Sequence, residues 1–137
     1  MTKTSPEYPG GHNPHKIKGG LSHIWHATRN SWSGITSAIR EESAFRQELA
    51  VTAIGVPLAL LLPFGAVERL MLIGSLVLIL IVELLNSSIE AVIDRISLEH
   101  NGLSKRAKDY GSAAVTLSLL ICAMVWITLT YRLFHLR

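Results

Sequence analysis

The chain has 137 residues, 49% of them apolar, with 13 Lys and Arg against 10 Asp and Glu for a net charge of +3. That length allows one domain, and the apolar content with a positive mean hydropathy is high for a water-soluble one. The basic balance does not point to nucleic acid, because the cations bracket apolar segments, and a single cysteine, Cys122, excludes an intrachain disulfide framework.

Residues 1–20 (MTKTSPEYPGGHNPHKIKGG) concentrate Pro, Gly, His and Lys without an apolar run, which predicts a disordered cytoplasmic tail. From Leu21 the pattern changes. Leu21, Ile24, Trp25, Thr28, Trp32, Ile35 and Ile39 recur at helical spacing and predict an amphipathic helix over about 21–40. It is too polar to span a membrane, and its two Trp favour the headgroup region, so it is expected to lie on the cytoplasmic membrane surface. EESAFRQE (Glu41 to Glu48) then leads into a stretch without charge from Leu49 to Val67. This predicts a first span over about 44–62, with a kink or a locally freed carbonyl at Pro57. A second span is expected over about 67–95. A loop follows over Ile96 to Lys105, with Gly102 as a turn or helix stop. The third span, about 107–134, contains the uncharged run Tyr110 to Tyr131, and its Gly111, Ser112, Ala113 and Ala114 are small enough to admit another helix closely. The reading is an all-α integral membrane protein with three transmembrane helices and an N-terminal surface helix.

Orientation follows from the cations. Of the 13 Lys and Arg, six precede residue 47 and four fall between Arg95 and Lys108. The N-terminus and second loop are therefore expected in the cytoplasm and the C-terminus outside.

The second span carries ELLNSSIEAVIDR from Glu83 to Arg95. At about 100° per residue, Asn86 lies about 60° to one side of Glu83, Glu90 about 20° to the same side, and Asp94 about 20° to the other. One helix face holds all four. An acidic group at the bilayer centre costs roughly 2.5 to 3.5 kcal/mol on insertion scales, so such a row needs partners, water or metal. Measured from Leu70, Glu83 stands about 20 Å along the helix and Glu90 about 30 Å, against a hydrocarbon core near 30 Å. Glu83 is thus placed just beneath the cytoplasmic surface and Glu90 at it. A lipid headgroup reaches the first position and a water-soluble, metal-bound anion the second. Nearby Lys105, Arg106 and Lys108 offer cations to phosphates, although taken alone they are more simply read as enforcing topology. No G-x-x-x-x-G-K-[ST] or G-x-G-x-x-G occurs, which excludes an ordinary nucleotide-binding loop. A small proton or ion pathway is a second reading of intramembrane carboxylates, opposed by the lack of any ionisable residue from Leu70 to Val82.

Together, EESAFRQE (Glu41 to Glu48), ELLNSSIEAVIDR (Glu83 to Arg95) and LSKRAKDYGSAAV (Leu103 to Val115) resemble the prokaryotic diacylglycerol kinase family, homotrimeric enzymes of the bacterial inner membrane. The similarity runs from about residue 21 to the C-terminus. It implies transfer of the ATP γ-phosphate to the primary hydroxyl of diacylglycerol, giving phosphatidic acid. Carried onto matching positions, Glu83 is the general base, and Glu42 and Glu90 bind the Mg2+ that accompanies ATP. Asn86, Glu99, His100, Asn101, Lys108 and Asp109 complete the nucleotide side. His23 and Asn30 also fall there, in place of the family's Arg and Tyr. For the lipid, the resemblance implies Thr28, Ser31, Trp32, Ala44, Phe45, Arg46, Gln47, Glu48 and Ser112 beside Glu83. Related members in some bacteria look like polyprenol kinases, so undecaprenol is the alternative acceptor. Three helices give such a site few walls, and a neighbouring protomer is expected to close it.

Overall fold

The protein is described from a computed structural model over residues 21–96 and 102–135, with side chains from Ile24 onward. The tail at 1–20 and the loop residues Glu99, His100 and Asn101 lie outside the described residues, as does the His23 side chain. Among the described residues there are four helices: α1 (Leu21–Glu41), α2 (Ser43–Leu61), α3 (Ala66–Ile96) and α4 (Gly102–His135). By length and composition α2, α3 and α4 are each able to cross a membrane.

The chain divides between Ile35 and Thr36 into two compact units. In the first, the stripe that makes α1 amphipathic is open, with Trp25 68% and Trp32 70% exposed. The Thr28 and Ser31 hydroxyls donate to the carbonyls of Ile24 and Ala27 at 2.9 and 3.0 Å, one turn back along their own helix.

In the second unit α3 is the central element and packs against both α2 and α4. Its buried residues, Leu72, Ser75, Leu76, Ile79 and Glu83, recur every three or four positions and so form one face. From α4 that face meets Gly111, Ser118 and Cys122, with the Ser75 hydroxyl 3.5 Å from the Cys122 thiol. From α2 it meets Gly55 and Ala59. The contact at Gly55 is close because the residue has no side chain: a Cβ there would lie 2.7 Å from Leu76 Cδ1 and 3.3 Å from the Trp126 ring. The outer faces are apolar and open, Ile54, Leu61, Leu70 and Ile127 among them. Such a surface suits hydrocarbon, not water.

The end of the bundle away from Glu83 is tied by side chains. Glu68 accepts from the Gly65 backbone N–H at 2.8 Å, half of a capping box at the start of α3, and meets Arg132 of α4 at 3.0 Å. Phe64 folds inward between these helices onto Ala59 and Leu72.

Pro57 lies inside α2, which continues through it to Leu61, and the missing N–H costs one intrahelical hydrogen bond. One local expectation differs from the structure. Gly102 opens α4 and does not stop a helix, so the loop expected over Ile96 to Lys105 is shorter. A glycine is tolerated there because the first turn has few intrahelical bonds to lose.

Candidate active site

The buried face of α3 changes character at its C-terminal end. After Ile79 the next positions on it are Glu83, then half-buried Asn86 and Glu90, then exposed Asp94. The periodicity that buries Leu72 and Leu76 therefore also aims the acidic groups inward. Glu83 is 4% exposed and is the one buried charged residue among those described.

Two further carboxylates, Glu42 and Glu48, gather around this row. Glu42, at the break between α1 and α2, and Glu90 both lie within electrostatic range of Glu83, as does Glu48 one turn into α2. None of the four forms an ion pair with a described residue. One oxygen of Glu48, Oε2, is buried without a hydrogen-bond partner. Lys108 of α4, which has Glu90 in its field, is already engaged: its Nζ is 2.6 Å from Asp94 Oδ1. That bond joins the end of α3 to the start of α4.

Other expected residues shape the same end. Phe45 is buried and anchors the start of α2, leaving Ala44 and Gln47 exposed on either side of it. Arg46 donates to the carbonyls of Ile39 and Arg40, both at 3.2 Å, and so caps the end of α1. On α4, Asp109 and Ser112 are exposed and flank buried Gly111. Asn86 donates from Nδ2 to Glu90 Oε1 at 3.2 Å. Thr28, Asn30, Ser31 and Trp32 belong to the first unit.

No three His, Cys, Asp or Glu side chains among the described residues converge as a ready-made metal cage. A small, hard divalent cation does not need such a cage: it takes one or two carboxylates and fills its octahedron with water and phosphate oxygens. Glu42 and Glu90 would supply those carboxylates beside an excess of uncompensated negative charge. Two features escaped the sequence reading. Asp94 is the partner of Lys108, and Gly111 is the residue against which Asn86 packs; the small-residue run on α4 marked close helix approach but not what occupies the space.

Three helices able to span a membrane, with carboxylates gathered at one end of the bundle, make this a polytopic membrane protein. The profile of the family described as Prokaryotic diacylglycerol kinase matches residues 29–130. The chain belongs to that family. It is 45% identical over 117 residues to the diacylglycerol kinase of Pseudomonas aeruginosa, covering 85% of this chain and 95% of the relative. Against the diacylglycerol kinase of Escherichia coli K12 it is 44% identical over 112 residues, covering 82% and 92%. The Helicobacter pylori 26695 diacylglycerol kinase is more distant, 37% identical over 113 residues, covering 82% and 88%.

Proposed function

We propose that the chain transfers the γ-phosphate of ATP to the primary hydroxyl of diacylglycerol, at the cytoplasmic edge of the bacterial inner membrane. The observation that carries this is Glu83: buried, uncompensated, and at the end of a helix face where three more carboxylates act on it. A base so placed meets a hydroxyl that arrives by lateral diffusion in the lipid.

In the reaction Glu83 accepts the hydroxyl proton as the lipid oxygen forms its bond to the γ-phosphorus. The bond from that phosphorus to the β–γ bridging oxygen breaks, and ADP leaves with the electron pair. Glu42 and Glu90 would hold Mg2+, which when bound neutralises charge on the phosphate oxygens. Lys108, oriented by Asp94, supplies a cation to the phosphates on the same side. Asp109, Glu99, His100 and Asn101 complete the nucleotide side. Glu48, Ala44, Phe45, Arg46, Gln47 and Ser112 form the lipid side. The N-terminus and second loop face the cytoplasm and the C-terminus the periplasm. The active unit is a homotrimer, in which a neighbour closes a site that three helices leave open.

The test is phosphate incorporation by the purified chain in detergent with ATP and Mg2+, offered diacylglycerol or undecaprenol. Diacylglycerol is expected to be turned over faster by about tenfold or more, a margin within reach of pocket contacts. Preference for undecaprenol overturns the choice of acceptor. Proton flux in vesicles without ATP, with no lipid phosphorylated, overturns the kinase reading altogether.

A further inference from the structure

Asn86 and Glu90 stand one turn apart on α3, and the amide between them is held from an unexpected side. Asn86 Nδ2 donates to Glu90 Oε1 at 3.2 Å. Its Oδ1 is buried and accepts no hydrogen bond. A Cβ built on Gly111 would collide with that Oδ1 and come within 3.2 Å of Asn86 Cγ and 3.8 Å of its Cβ. The amide thus fills the volume that only a glycine leaves open on α4. The Gly111 hydrogen standing in the Cβ direction points at Oδ1, a Cα–H···O contact of the kind found where helices approach closely. The amide's sense follows from charge: reversed, its oxygen would face the Glu90 carboxylate and its NH2 the Gly111 Cα–H, so both contacts would turn repulsive.

From this geometry we infer that Gly111 is a positioning residue for the active site, whose missing side chain seats the Asn86 amide so that Nδ2 holds and orients the Glu90 carboxylate. It touches no substrate and acts through Asn86. What the orientation serves, metal binding by Glu90, rests on the kinase reading; the seating itself does not.

Gly111→Ala in the full chain is expected to lower turnover of diacylglycerol roughly 10- to 100-fold and to raise the Mg2+ concentration needed for half-maximal rate, the scale seen when groups orienting metal ligands are removed. Independently of activity, the Asn86 side-chain amide signal in protein labelled with 15N at asparagine, assigned by its loss in Asn86→Ala, is expected to shift in Gly111→Ala. Asn86→Ala removes the collision. The double variant is therefore expected to assemble as Asn86→Ala does and to match its activity within about twofold. This comparison decides the matter even where Gly111→Ala alone does not assemble. Losses that multiply in the double variant, failure of the double variant to assemble, or an unmoved amide signal in Gly111→Ala overturn the inference. If the unmodified chain phosphorylates neither lipid, the proposed function fails, and the amide signal and assembly still decide the role of Gly111.

Discussion

Glu83→Gln is expected to cut phosphoryl transfer by about 10²- to 10⁴-fold in kcat, the range for a positioned general base, while the protein assembles as before. The substitution keeps shape and volume but removes the negative charge and with it the ability to take a proton. Stability should move the other way. Glu83 is buried with Glu42, Glu48 and Glu90 acting on it and no cation beside it, so neutralising it relieves repulsion. Turnover measured alongside the melting temperature separates the roles: activity lost with the melting temperature kept or raised identifies a base, whereas a fall in both identifies a structural group. Retained activity removes Glu83 from the mechanism.

Glu90→Gln is expected to act through the metal. The Gln carbonyl still accepts the hydrogen bond from Asn86 Nδ2, so the local packing on Gly111 survives, but the negative charge that attracts a divalent cation is gone. Its cost should exceed the roughly 10- to 100-fold typical of residues that merely orient a ligand. A Mg2+ titration at fixed ATP is the measurement: the half-saturating concentration rises, with part of the rate recovered at high Mg2+. A rate that falls with an unchanged Mg2+ requirement would place Glu90 outside the metal site.

Much of this arrangement is written in short-range pattern. The uncharged runs Leu49 to Val67 and Tyr110 to Tyr131 can hardly avoid being apolar helices, and the period of a helix puts Glu83, Asn86 and Glu90 on one face whatever surrounds them. What the pattern does not carry is pairing between helices. The Lys108–Asp94 bond links α3 to α4, and neither residue's neighbours in sequence announce it. Arg46 lies beside Glu42 in a charged stretch that reads as a membrane boundary, yet it spends its guanidinium on the end of α1. Gly111 illustrates the same limit: its smallness is visible in KDYGSAA, but that Asn86 needs the space depends on the register of α3 against α4. Gly102 failed as a stop signal for a simpler reason, since glycine is also compatible with a helix start.

The central claim is that the carboxylates at one end of the bundle receive a metal-bound nucleotide beside a lipid hydroxyl. Anomalous diffraction from crystals of the full chain grown with Mn2+ and a non-hydrolysable ATP analogue tests it most directly. The account predicts a manganese peak between the Glu42 and Glu90 carboxylates, with the terminal phosphate facing Glu83. A metal nucleotide bound at the Glu68–Arg132 end, or held without either Glu42 or Glu90, would contradict it.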